Sequence, residues 1–415
     1  MPVIKVEGEI PHDPNHYEMP NSIVRRYHEF MADSCCVHMC QGPNPQMARY
    51  VYGLIFLVTN LLAWMVRDYG HNALSELEHL KGCQGVHDCL GTEGVLRVSL
   101  GCFIFYFTMF LTTVGSTKMY KPRDSWHSGW WPLKSLIWII MMVVPFFIPS
   151  AFIQFYGEVA RFGAGIFLII QLISVINFIT WWNEYWLSEE NADLCGIPVV
   201  AMSTMAYAAS LTGIILMYIW YAPKVSCTLN IFFITLTLIL LQVMTSISLH
   251  SKVNAGLMTA GLMGLYVVFL CWSAIRSEPV TEKCNTMPQG TGRGDWITIV
   301  SFIIAVLAIV MATFSTGIDS KSFQFRKDEV ESDDDVPYGY GFFHFVFSMG
   351  AMYFGMLFIG WNLHQTMQKW SIDVGWASTW VKIVNEWLAA GLYVWTLIAP
   401  IVWKNRTNGR SASNV

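Results

Sequence analysis

Residues 296–316 read WITIVSFIIAVLAIVMATFST, a run without a charged residue, a glycine or a proline. A helix needs roughly 20 mostly apolar residues to cross the ~30 Å hydrocarbon core of a bilayer, and this run supplies them. Working outward from it, similar runs stand at 47–66, 95–114, 132–153, 162–183, 197–219, 228–249, 255–275, 340–361 and 381–403. The runs opening at Met47, Ile197, Cys227 and Trp296 are the clearest. The fourth and tenth are interrupted by polar residues, Gln171 and Asn177 in one and Asn385 and Glu386 in the other. The expectation is an all-α polytopic membrane protein with about ten transmembrane helices.

Composition agrees. Of 415 residues 54% are hydrophobic and only 13% charged, where a soluble domain carries roughly a quarter charged residues. The mean hydropathy is +0.43. Eighteen Trp and seventeen Tyr suit the belts that aromatic rings form at the two membrane interfaces. A net charge of −4 argues against a basic nucleic-acid binder. The segments between spans are too short to bury a core of their own, so function is expected within the membrane or at its faces.

Residues 1–46 are polar and lack the apolar stretch of a signal peptide. They read as a cytoplasmic arm, the spans as one domain over 47–403, and residues 404–415 as a cytoplasmic tail. Lysine and arginine lean to the segments this places inside, among them Arg25, Arg26, Lys118, Lys121, Arg123, Arg326, Lys327 and Lys404, as positive-inside loops require. On the outer side Cys83 and Cys89 share one loop and are the first choice for a disulfide, with Cys227–Cys284 the second. Cys35, Cys36 and Cys40 fall inside, next to the first span. There they read as plain thiols, as acylation sites, or as zinc ligands with His28 or His38, although no recognised metal spacing is present. No metal or cofactor is expected. The acidic run 328–335 reads as a solvated loop that recruits sorting machinery.

Four blocks, in order along the chain, carry a resemblance. The first holds Val95-Leu96-Arg97-Val98-Ser99, Pro122-Arg123, His127, Gly129, Trp131, Lys134, Phe147-Ile148-Pro149, Phe162-Gly163-Ala164-Gly165, Leu168-Ile169-Ile170-Gln171-Leu172 and Trp182-Asn183-Glu184. The second is Trp272-Ser273-Ala274-Ile275 with Ser277-Glu278-Pro279 and Cys284-Asn285. The third is Tyr338-Gly339-Tyr340-Gly341-Phe342-Phe343-His344-Phe345. The last is Trp380-Val381-Lys382, Trp387 and Leu392-Tyr393-Val394-Trp395-Thr396-Leu397-Ile398-Ala399-Pro400. Together they resemble the serine incorporator family, and its plant-type members most. The resemblance implies two helical bundles separated by a long oblique fourth helix. The chain departs from animal members in its polar arm, and in Asn385-Glu386 where small polar residues are more usual.

Candidate functional residues lie mostly in the fourth and tenth spans. Gln171, Ser174 and Asn177, with Asn183 and Glu184 at the inner end, either hydrogen-bond neighbouring helices or line a seam along which a lipid headgroup travels. Lys382, Asn385 and Glu386 share one face, and the i,i+4 spacing predicts a Lys382–Glu386 pair. Arg97, near the start of the second span, either contacts a lipid phosphate or snorkels to the interface. Glu158 and Arg161 are spaced for an ion pair at the start of the fourth span. Gly290-Thr291-Gly292-Arg293-Gly294 lacks the Lys-Ser/Thr of a P-loop. The first reading is therefore an ATP-independent phospholipid scramblase whose partners are membrane phospholipids, in the plasma membrane or endomembranes. The alternative is a carrier or scaffold that binds serine and supplies it to phosphatidylserine and sphingolipid synthesis. An enzyme comes last, because no CDP-alcohol phosphotransferase motif or soluble cofactor domain is present. A homo-oligomer stays open.

Overall fold

The structure, a computed structural model, describes residues 45–70, 90–116, 122–187, 192–253, 255–279, 284, 296–320, 336–363, 367 and 369–412. Among the described residues there are helices and no strand. In chain order they are α1 (Pro45–Tyr69), α2 (Leu90–Thr113), α3 (Pro122–Ser128), α4 (Trp131–Val143), the 3₁₀ turn η1 (Val144–Phe147) and α5 (Ser150–Leu187). Then follow α6 (Ala192–Tyr221), α7 (Thr228–Ser248), α8 (Leu257–Arg276), α9 (Trp296–Ile318), α10 (Tyr340–Phe358) and α11 (Trp376–Ala412). Eight of these, α1, α2 and α5–α10, are long and apolar enough to cross a membrane. The protein is an integral multi-pass membrane protein.

Two expected spans differ from the rest. The third, read as one run over 132–153, is broken. α3 and the segment Trp131–Phe147 meet at 67°, across Trp130, whose φ is 60°. Pro132 then opens α4, where a missing N–H costs nothing. At the other end Pro145 tightens the helix into η1 and Pro149 ends it, because neither ring can donate to a preceding turn. The tenth span, α11, has polar Lys382, Asn385 and Glu386 in its opening turns. It nevertheless runs antiparallel beside α8, bonded to Ser277 through Lys382 and to Thr259 through Tyr393.

The fourth helix, expected near 162, starts at Ser150 and runs for 38 residues, about 57 Å at 1.5 Å per residue. The Pro149 carbonyl accepts the first helical N–H bonds, from Phe152 and Ile153. Its length lets α5 serve two cores. Ile153, Tyr156, Ala160, Ala164 and Phe167 belong to a cluster with α1, α2, α4, α9 and α10. Leu172, Ile176 and Ile179 belong to another, with α7, α8 and α11. A neighbouring cluster adds Ile214 and Met217 of α6. The handover falls between Phe167 and Leu172.

Contacts between connecting segments sort them to two ends. Arg67, in the last turn of α1, donates to the carbonyl of Ser371, before α11. Cys227, before α7, is disulfide-bonded to Cys284, beyond α8, with Cα atoms 5.7 Å apart. These belong to the end that charge bias assigns to the exterior. His127, before α4, meets Tyr338, before α10, at the other. Cys83, Cys89, Cys35, Cys36, Cys40 and the run 328–335 lie outside the described residues.

Helices approach closely where glycine allows it. A Cβ on Gly101 of α2 would run into the backbone carbonyl of Met141 on α4, whereas one on Gly165 of α5 would meet nothing within 4 Å. Gly101→Leu should therefore cost about 1–3 kcal/mol by overpacking, and Gly165→Leu almost nothing. Thermal unfolding of the two variants in detergent checks this; equal midpoints would mean that α2 and α4 do not meet at Gly101.

Candidate functional site

The middle of α5 is where neither core closes fully over the helix. Gln171 and Asn177 are half-buried, and among the described residues neither makes a hydrogen bond. Between them Ser174, 8% exposed, donates to Asp319 Oδ2 at 2.6 Å, which brings a carboxylate from the end of α9 to the seam. Around the same stretch Ile166, Ile169, Phe178 and Trp181 are exposed, an apolar flank suited to lipid tails. Asn183 is half-buried and Glu184 exposed near the end of the helix. Three polar groups of different kinds thus follow one another along a helix whose flank is greasy. Among the described residues no three His, Cys, Asp or Glu side chains are placed to hold a metal ion.

Other residues singled out in the sequence are drawn away from that seam. Arg97 neither snorkels nor faces lipid, because it is completely buried. Its Nη1 donates to the carbonyls of Pro145 at 2.5 Å and Ile148 at 2.6 Å. Nη2 lies 3.4 Å from Ser150 Oγ and 3.6 Å from Glu93. At the proline break between α4 and α5 the Pro145 carbonyl accepts the Ile148 N–H, and a guanidinium with a fork of donors adds a bond to it and one to the Ile148 carbonyl.

Lys382 and Glu386 do not pair. Lys382 Nζ binds Asp373 Oδ2 at 2.6 Å and Ser277 Oγ at 2.6 Å. Glu386, 1% exposed, sits with Oε1 2.7 Å from Thr237 Oγ1 of α7, and Asn385 is 8% exposed. Lys382 is taken up by groups in the segments flanking α11 and α8, and Glu386 by a residue of α7. Glu158 and Arg161 do form an ion pair, at 2.6 Å with side chains 55% and 39% exposed. It lies inside α5 and not at its start, and Arg161 also donates to the Trp361 carbonyl beyond α10.

Sequence reading assigned no chemistry to a buried cluster at the inner end. His127 Nδ1 is 3.1 Å from His344 Nε2, and its Nε2 is 2.8 Å from the Tyr338 hydroxyl. Burial pushes the Tyr338 phenol up from its ordinary range, so it keeps its proton. Lys134 Nζ donates to the His127 carbonyl at 2.8 Å and lies 4.5 Å from the Trp131 ring centre, with Trp126 and Tyr52 each at 5.3 Å. A completely buried ammonium is tolerated where π faces and a carbonyl surround it. The signal was in the sequence, since His127, Lys134, Tyr338 and His344 all stand in the resemblance blocks. The separation of His127 from Tyr338 by 211 residues and from His344 by 217 hid the contact.

Comparison with known proteins adds a family. The serine incorporator family model matches residues 28–333 and 317–406. A probable serine incorporator from Dictyostelium discoideum is 28% identical over 91% of this chain and 99% of its own length. Serine incorporator 3 from Bos taurus is 25% identical over 90% of this chain and 94% of its own. A probable serine incorporator from Nematostella vectensis has the same identity and coverage.

The burial of Arg97 has a direct consequence. Arg97→Leu leaves Glu93 without its counter-charge and the Pro145 and Ile148 carbonyls without the guanidinium, and removing one member of such a buried set costs about 3–5 kcal/mol. Little folded protein should survive detergent extraction in size-exclusion chromatography. Arg97→Lys should rescue it only in part, because an ammonium lacks the planar fork. A monodisperse Arg97→Leu protein would return Arg97 to a surface role.

Proposed function

The chain belongs to the serine incorporator family, and from that premise we propose that it is a lipid transporter, equilibrating phospholipids between leaflets without ATP along the polar face of α5. The observation that carries this reading is the pair Gln171 and Asn177, half-buried and without protein hydrogen-bond partners among the described residues, on the helix shared by the two bundles. Polar side chains in lipid ordinarily bond a neighbouring helix; two that do not are available to a passing headgroup. Taking a charged headgroup through hydrocarbon is the main barrier to flip-flop, as it is for a charged side chain. Amides along the path, with the Ser174–Asp319 pair between them, replace lost hydration while the tails stay in lipid against Ile166, Ile169 and Phe178. Arg97, Lys382 and Glu386, being buried or bound elsewhere, have no part in this path.

Purified protein in liposomes should equilibrate labelled phospholipid without ATP. Replacing Gln171 and Asn177 together with Leu removes two hydrogen bonds of about 1 kcal/mol each, which slows transfer roughly tenfold or more while the fold persists. A double variant as fast as wild type would move the path off α5. Wild-type liposomes as asymmetric as empty ones, with measurable serine binding, would favour the serine carrier instead.

A further inference from the structure

Four threonines of the second bundle share one arrangement. Thr235, Thr237, Thr245 and Thr259 each direct the hydroxyl to the carbonyl four residues back, at 2.6, 2.8, 2.8 and 3.4 Å. A hydroxyl has one proton and two lone pairs, so such a threonine keeps the bond to its own helix and makes a second one only when the second partner donates. For three of them the partner is a tyrosine hydroxyl from a neighbouring helix: Tyr218 to Thr235 at 2.7 Å, Tyr207 to Thr245 at 3.0 Å and Tyr393 to Thr259 at 3.1 Å. For Thr237 that place is taken by Glu386 Oε1 at 2.7 Å. A carboxylate only accepts; a carboxylic acid donates.

The surroundings agree with the acid. Glu386 is 1% exposed, Thr237 is completely buried, and among the described residues Glu386 Oε2 has no hydrogen-bond partner and Glu386 forms no ion pair. α7, which packs on α11, has no titratable residue in 228–248, and α5 has none in 162–183. α8 brings the Cys271 thiol, close to both Thr237 and Glu386. On α11 itself Lys382, one turn away, is engaged by Asp373, and at the outer end Glu278 is held by Asn230. A bare carboxylate with one orphan oxygen among three helices would be a buried, unpaired charge, which proteins avoid by neutralising the group.

We propose that Glu386 is a proton-binding site of the second bundle, its carboxyl held as the neutral acid that donates to Thr237 Oγ1. The proton is then a ligand of the closed packing of α11 on α7: with it both contacts of Thr237 Oγ1, to the Phe233 carbonyl and to Glu386, are hydrogen bonds at once, and without it the single threonine proton serves only one of them. The site lies on α7 and α11, away from Gln171 and Asn177 of α5, and does not depend on lipid transport.

Infrared difference spectroscopy of the full chain in liposomes at neutral pH tests it. Wild type should show a protonated-carboxyl C=O band that Glu386→Gln removes. Thr237→Val should keep the band but shift it to the higher frequency of an unbonded acid. Should Glu386→Gln fail to fold, the Thr237→Val shift decides alone. A spectrum in which neither substitution changes a protonated-carboxyl band means Glu386 is ionised, and the proposal falls.

Discussion

The bond set of Arg97 is what the rest of the architecture depends on. A backbone carbonyl inside a membrane must find a donor within the protein, and a chain that breaks between two spans exposes several. Here the break runs Pro145-Phe146-Phe147-Ile148-Pro149, and the guanidinium takes the carbonyls at both ends of it. With those satisfied, α4 can stop and α5 can start at Ser150 with a new direction. Glu93 balances the charge from one turn earlier on α2. The position is expensive to fill with anything else, since it needs a planar cation, several donors and complete burial at once.

The same economy holds at the outer end. Arg67 binds Asp68 and reaches the carbonyls of Phe358 and Ser371, while Asp68 accepts from the Trp64 indole and the Trp370 amide. Lys382 ties Asp373 to Ser277. Both sets clamp the segment between α10 and α11, in which Trp361, Trp370 and Asp373 all have positive φ. The irregular backbone here is held because buried charged side chains bond its carbonyls and amides. At the inner end Lys134 and the His344–His127–Tyr338 chain play the corresponding part for α3 and α10.

Fold class was legible in the sequence because hydrophobic length is a local property: every apolar run but 132–153 lies, apart from end residues, within a single helix, 255–275 from Leu257 on and 340–361 up to Phe358. Where the runs failed, the reason was local too, but it lay in proline chemistry. The run 132–153 looks continuous by hydropathy although Pro145 and Pro149 cannot sustain one helix. Charged residues were legible as candidates and not as contacts. Lys382 and Glu386 have the spacing of a pair, yet Asp373, Ser277 and Thr237 lie closer in space, and no periodicity on α11 reveals a residue on α7. Arg97 was read against lipid because its helix was known and its neighbours were not. Gln171, Ser174 and Asn177 fared differently. Their shared helix put them together in advance, and only the Asp319 partner of Ser174 required the tertiary fold.

What sets α5 apart is that its two halves answer to different cores. Phe167 stacks on Tyr353 of α10 with ring centres 4.8 Å apart, and Gly163 lets Met352 of the same helix come against the backbone. One turn later Leu172 is buried with Met263 and Ala390 instead. A helix that changes cores has a short stretch claimed by neither, and Gln171 stands in it. An apolar residue there would be exposed to lipid without harm, so the amide is not needed for packing. Its neighbours Ser174 and Asp319 bridge α5 to α9, which keeps the first bundle attached just past the handover. The polar seam therefore arises where a continuous helix must join two separately packed bundles, and the bundles have no reason to close over it.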